Sequence, residues 1–126
     1  MKILMVEDNF QMRRLLKSML AGLADEFYEC ADGADVRAAY ACHQPDVVLM
    51  DIRMGRVDGI TATQQIRAAH PSARVIIVTD YDQPDLREAA REAGACGYVV
   101  KDNLLELVER LKDEAPPRSP SPNKSK

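Results

Sequence analysis

Glu7-Asp8, Asp51, Thr79 and Lys101 each stand just past a short apolar run, at residues 3–6, 47–50, 75–78 and 98–100. In a parallel α/β sheet the carboxyl ends of the strands share one edge, which gathers these side chains. Gathered carboxylates repel one another, and a divalent cation held by oxygen relieves that repulsion. A hydroxyl and an ammonium beside the cation complete a place that can receive and hold a phosphoryl group.

Roles follow from hard-ion chemistry. Asp8 and Asp51 are the expected Mg2+ ligands, with the main-chain carbonyl of Arg53 nearby and Glu7 acting directly or through water. Asp51 is the expected nucleophile, giving an acyl phosphate. Lys101 keeps Asp51 ionised against its acidic neighbours and, with the metal, neutralises charge during transfer. Thr79 donates a hydrogen bond to a phosphoryl oxygen and moves toward it. Tyr98, three residues before Lys101, reads either as a half-buried strand tyrosine or as a rotamer switch coupled to Thr79. Plainer readings exist for each: Asp8 as a helix cap, Thr79 as a strand-end residue, Lys101 as a surface lysine. They do not anticipate that all these residues reach one edge in the required order. Asp58-Gly59 reads as a turn before a helix.

The elements that must position these residues alternate along the chain. The sequence predicts strands over 2–6, 26–30, 47–50, 74–78 and 97–100, several of them apolar at consecutive positions, as strands buried on both faces are. Met12, Leu15, Leu16, Met19, Leu20 and Leu23 recur at helical spacing and predict a first helix. Val36, Ala39 and Tyr40 mark a weaker second, and Ile60, Thr63 and Ile66 a third over 59–69. Leu86, Ala89, Ala90 and Ala93 mark a fourth, with Pro84 in its first turn and Gly94 past its end. A fifth is predicted to begin at Asn103, with Glu106 completing a capping box. The expected fold is α/β: a doubly wound, flavodoxin-like five-stranded parallel sheet of (βα)5 type, strand order 2-1-3-4-5, with its crevice between the first and third strands.

Bulk properties exclude several classes. With 46% hydrophobic and 29% charged residues, the chain has the composition of a soluble globular domain. It lacks the ~20-residue apolar run of a bilayer span, and its N-terminus turns acidic at once, unlike a signal peptide. All 20 acidic residues precede residue 115, against 14 basic ones in the same stretch. An acidic body of this kind predicts no direct nucleic-acid binding by this chain. Cys30, Cys42 and Cys96 lack ligand spacing and are expected to be reduced, mostly buried thiols of a cytoplasmic protein. Residues 1–114 are expected to form the domain. Residues 115–126, rich in proline and serine, are expected to be a disordered tail or linker.

Taken together, Glu7-Asp8, Asp51-Ile52-Arg53-Met54, Asp58-Gly59, Val78-Thr79 and Tyr98-Val99-Val100-Lys101 form a specific set. Over residues 1–114 the chain resembles the receiver domains of bacterial two-component response regulators. The resemblance implies that Asp51 takes a phosphoryl group from a sensor histidine kinase or phosphotransfer protein, at a Mg2+ site formed by Glu7, Asp8 and Asp51. It implies that Thr79, Tyr98 and a surface at roughly 81–113 report phosphorylation to a downstream protein, and it leaves homodimerisation on phosphorylation open. Such a protein is a switch that catalyses its own phosphorylation and slow dephosphorylation, not an enzyme in the ordinary sense. The text around Asp51 and Lys101-Asp102 looks most like receivers joined to a helix-turn-helix output domain, which residues 1–126 do not contain. A stand-alone regulator is favoured over a receiver cut from a longer transcription factor, because the tail ends in a basic, polar run.

Three departures from the family pattern matter. Gly55 replaces a usual proline and is expected to loosen the loop after Asp51. Asp80 follows Thr79 where a small residue is usual, and is expected to narrow the approach or repel the phosphoryl group. Asp102 replaces a usual proline and removes an expected cis peptide. Asp80 alone supports the alternative of a receiver-fold interaction module without phosphorylation. Enzymes of similar topology fail on particular residues: a flavodoxin needs a phosphate loop where Glu7-Asp8-Asn9-Phe10 stands, and an aspartate-nucleophile phosphatase needs an acid where Arg53 stands. Arg53 and Tyr81 flank the site and are expected to prolong the phosphorylated state.

Overall fold

The strands of the computed structural model, which describes residues 1–114, are β1 (Lys2–Val6), β2 (Glu26–Cys30), β3 (Val47–Met50), β4 (Val75–Thr79) and β5 (Gly97–Val100). Between them run α1 (Phe10–Leu20), α2 (Val36–His43), α3 (Gly59–Ala69) and α4 (Pro84–Ala93), and α5 (Leu104–Glu114) follows β5. All pairings are parallel, in the order β2-β1-β3-β4-β5. The predicted doubly wound α/β sheet is therefore the observed one. The tail predicted at 115–126 lies outside the described residues.

Consecutive apolar residues in the strands have a direct cause. Alternate side chains point to opposite faces, and both faces are covered. Leu4, Val6, Val48, Met50, Val75 and Ile77 pack on one side, together with Val36, Ala62, Ile66 and Ala90 from α2, α3 and α4. Ile3, Met5, Val47, Leu49, Ile76, Val78 and Val99 pack on the other, with Leu16 and Leu20 of α1 and Leu107 and Leu111 of α5.

Differences from the sequence reading lie at element ends. β4 begins at Val75, one residue later than predicted, and includes Thr79. The cap of α1 is Asn9, whose side chain accepts from the Met12 amide, so Asp8 is released from that duty. A 3₁₀ turn, Lys101–Asn103, leads into α5, so Asn103 closes a turn rather than opening the helix as the first member of a capping box. Asp58 does cap α3, accepting from Ile60 and Thr61. Pro84 opens α4, and Gly94 ends it at φ 106°, a conformation that favours glycine. No peptide bond among the described residues is cis, and no helix among them is long and apolar enough to cross a membrane. Of the three free cysteines only Cys30 is buried; Cys42 and Cys96 are exposed, contrary to expectation.

Leu4, wholly buried on β1 beside Val48 of the central strand β3, tests the packing. Leu4→Ala is expected to lower the unfolding free energy by ~3 kcal/mol. A urea midpoint within error of wild type would contradict this account of the core.

Candidate functional site

The strand register brings the acids together. Val6 lies beside Met50, and Met50 beside Ile77, so the residues that follow them emerge at one level. The Asp51 amide donates to the Val6 carbonyl (3.0 Å), and the Glu7 amide donates to the Cys30 carbonyl (2.9 Å). One carboxylate oxygen each from Glu7, Asp8 and Asp51 lies within 4.8 Å of the others. Glu7 and Asp51 are only 3% and 6% exposed, while Asp8 faces solvent.

Lys101 supplies the counter-charge. Its Nζ is 2.7 Å from Glu7 Oε1 and 3.3 Å from Asp51 Oδ2, with the side chain 8% exposed. Two main-chain donors assist: the Ile52 amide bonds Asp51 Oδ1 (2.8 Å) and the Asn9 amide bonds Glu7 Oε2 (3.0 Å). Burial nevertheless raises the Glu7 carboxyl above its ordinary value, more than the bond from Lys101 lowers it. Asp51 is likewise raised by burial, against the opposing charge and hydrogen bond of Lys101. Burial works to lower the Lys101 ammonium, but its hydrogen bond to Glu7 and the charge of Asp51 outweigh it, so its value is raised. Three carboxylates facing one ammonium leave uncompensated negative charge. An oxygen-only, electron-rich pocket of this kind fits a small hard dication.

The backbone is drawn tight around Asp51. A Cβ at Gly59 would lie 1.8 Å from the Asp51 carbonyl oxygen, and the Gly59 amide donates to the Ile52 carbonyl (2.8 Å). Only glycine permits this approach. Arg13 of α1 donates to the Glu7 carbonyl (2.6 Å) and to Glu29 (2.8 Å), which pins the acidic turn to β2.

Thr79 is wholly buried at the end of β4, and its Oγ1 accepts a long bond from the Tyr81 amide (3.4 Å). The half-buried Tyr98 donates its hydroxyl proton to the Tyr81 carbonyl (2.6 Å), and the Arg87 guanidinium lies 4.6 Å from its ring centroid. Arg53 stacks over the Tyr81 ring at 4.8 Å. The expected site residues thus reach one edge, apart from Tyr98, which joins them through Tyr81. Asp80 is exposed on the rim of an open cleft it shares with Asn9, Met12, Leu15 and Lys101, outside the carboxylate cluster.

Three contributors escape sequence reasoning: Asn9, Arg13 and Asp32. Asp32 accepts from the amides of Arg56 (2.9 Å) and Val57 (3.2 Å) in the loop beyond Asp51. The loop that Gly55 is expected to loosen is thus bonded to Asp32 through the two residues that follow Gly55. An Asp-Gly pair one residue past a strand, at 32–33, was the available signal.

Residues 3–112 match the family model of the response regulator receiver domain. The transcriptional regulatory protein PdtaR of Mycobacterium tuberculosis is 39% identical over 112 residues, which cover 87% of this chain and 54% of that protein. The chain thus spans about half the length of that curated relative. The chemotaxis protein CheY of Bacillus subtilis is 35% identical over 114 residues, covering 86% of this chain and 95% of that one. A solved two-component response regulator of the LuxR family from Aurantimonas superposes with a TM-score of 0.83 at 30% identity, covering 90% of this chain and 84% of that one.

Because burial raises Asp51, its ionised form costs stability at neutral pH when no cation is bound. Asp51→Asn is expected to be about 1 kcal/mol more stable than wild type at pH 7 in chelator. The raised folded value sets the sign. Asp51's contribution is fully present below its unfolded value near 3.8 and is lost as the pH rises through the higher folded value. The advantage of the variant should therefore shrink as the pH falls toward 3.8. Calorimetric melting of the two proteins across this range checks it, and a pH-independent gap would refute the claim that burial of the charged carboxylate costs stability.

Proposed function

The chain belongs to the response regulator receiver family, and from that premise we propose that it accepts a phosphoryl group on Asp51 and relays the event to a protein partner. The observation that carries this reading is the carboxylate trio of Glu7, Asp8 and Asp51 with the Lys101 ammonium against two of its members. The donor is a histidine kinase or phosphotransfer protein. A carboxylate oxygen of Asp51 forms the new bond to phosphorus as the bond to the donor's nitrogen breaks. Glu7, Asp8, Asp51 and the Arg53 carbonyl would hold Mg2+, which supplies positive charge to the phosphoryl oxygens when bound. Lys101 moves its hydrogen bonding onto the arriving phosphoryl group, and Thr79 gives up its long bond from Tyr81 to donate its hydroxyl proton there.

The change then passes along residues already in contact. Thr79 holds the Tyr81 amide and Tyr98 holds its carbonyl, so a displaced Thr79 alters the seat of Tyr98, on β5, against Arg87 of α4. The surface at roughly 81–113 is the proposed docking face for a downstream protein in the cytoplasm. Asp80 lies outside the carboxylate cluster, on a solvent-facing rim, which favours this reading over a phosphate-independent interaction module.

Incubation with Mg2+ and acetyl phosphate is expected to add one phosphoryl group by intact mass. None should be added to Asp51→Asn or in the presence of a chelator. No addition to the wild type under any condition would move the interaction-module reading to first place. The Arg53–Tyr81 stack shields the acyl phosphate from water. Arg53→Ala with Tyr81→Ala is expected to shorten its lifetime several-fold, followed by decay of the phosphorylated mass after the donor is removed. An unchanged decay would show that the stack does not limit water access.

A further inference from the structure

Residues 52–58 cross from the acid pocket to α3, and the two ends of this loop are fixed locally. Asp51 accepts the Ile52 amide, and the Ile52 carbonyl accepts the Gly59 amide. The middle is held from across the sheet edge by Asp32, which follows β2. Its Oδ2 accepts from the Arg56 amide (2.9 Å) and from Arg56 Nε (3.1 Å). Its Oδ1 accepts from the Val57 amide (3.2 Å) and from its own segment at Ala34 (2.9 Å). Two glycines make the approach possible. A Cβ at Gly33 would sit 2.4 Å from the Val57 carbonyl oxygen, and one at Gly55 would sit 2.7 Å from Asp32 Oδ2. The main-chain amides of Ala34 and Arg56, first among its donors, hold the Asp32 carboxyl far below the ordinary carboxylate range. It therefore accepts as an anion at any physiological pH, and such bonds are stronger than neutral ones.

The same short segment braces the other side of the pocket. The Cys30 carbonyl, two residues before Asp32, accepts the Glu7 amide (2.9 Å). Residues 30–33 thus touch both the Glu7 turn and the loop that carries Arg53.

We propose that Asp32 is a positioning residue for cation binding: by clasping Arg56 and Val57 over the bare backbone of Gly55, it fixes the Arg53 carbonyl relative to the three carboxylates. This rests on the phosphoryl-acceptor reading for its purpose, but the clasp itself is independent of it. The proposal also changes the meaning of Gly55. Its role is to leave room for an anion, not to lend the loop freedom.

The two roles of Gly55 predict opposite signs, which makes the test sharp. In the full chain without metal, amide exchange at residues 53–57 is expected to quicken by about tenfold or more in Asp32→Ala, as the clasp is lost. Asp32→Asn, which keeps acceptor oxygen but no charge, should fall between. Gly55→Ala should also quicken exchange, because its methyl displaces the carboxylate. Were Gly55 a source of mobility, the same change would slow it. Calorimetric titration with Mg2+ alone should show several-fold weaker binding for Asp32→Ala and Gly55→Ala. Phosphorylation by acetyl phosphate should recover to the wild-type rate at saturating Mg2+, the mark of lost affinity rather than lost chemistry. Wild-type exchange at 53–57 in either variant, or weakened Mg2+ binding without faster exchange, would overturn the proposal. Should Asp32→Ala fail to fold, Asp32→Asn and Gly55→Ala carry the same comparison. A wild type that neither binds Mg2+ nor takes up phosphate would sink the functional reading, while the exchange measurement would still decide the clasp.

Discussion

Two buried carboxylates share one ammonium, and much of the edge of this sheet is arranged around that imbalance. Glu7 and Asp51 are both nearly shielded from water, and Lys101 contacts each. Burying charged carboxylates away from water is unfavourable, and the raised Glu7 and Asp51 values follow chiefly from that burial, with repulsion from neighbouring acids adding less. A fold selected for stability alone would place apolar residues here. Retaining the charge means that the folded chain is under local electrostatic strain that a bound cation can relieve. Function and instability thus have the same source.

The topology explains why the counter-charge is a lysine. The strand order puts β5 two strands from β3 and three from β1. With ~4.8 Å between neighbours, a group following β5 must reach roughly 10 Å to meet Asp51. Only a long side chain spans that gap, and it must pass the end of β4 on the way. Thr79 paired with Val100 occupies that end, and its small side chain leaves the passage clear while adding a hydroxyl. Lys101 gains further direction from the 3₁₀ turn that it opens, which turns the chain back over the edge before α5 begins. The residue types along this edge are thus constrained by distance as well as by chemistry.

What the sequence made legible was local. The apolar runs located β1, β3 and β5 at their observed limits because a strand covered on both faces must be apolar at successive positions. Asp8 and Asn9 could not be told apart as caps from composition, since both are good caps and the choice depends on where the strand lets go of the chain. Asn103 fails as a cap for a related reason: the turn that brings Lys101 inward uses the residues a capping box would need. The part Asp32 plays was hidden for a different reason, although Asp32-Gly33 reads as a turn. Its partners at Arg56 and Val57 belong to another loop, and no periodicity links two loops. The same holds for Arg13, whose helix position reads as solvent-facing until the Glu7 carbonyl is placed beside it.

Tyr81 is where the charge problem becomes a mechanical one. Its amide is held by Thr79, its carbonyl by Tyr98 and its ring by Arg53, so one residue is tied to the hydroxyl, the reporter ring and the loop beyond Asp51. These ties are unequal. The bond from the Tyr81 amide to Thr79 is long at 3.4 Å and weak by geometry, whereas that from Tyr98 is short at 2.6 Å. A demand for Thr79 at the acid pocket would therefore break the weaker tie first and leave Tyr81 and Tyr98 to move as a unit. Tyr98 in turn carries Arg87 of α4 against its ring, so the helix face is linked to the pocket through two tyrosines and no direct contact with Asp51. In the proposed switch, the direction of signalling follows from this ordering of strengths.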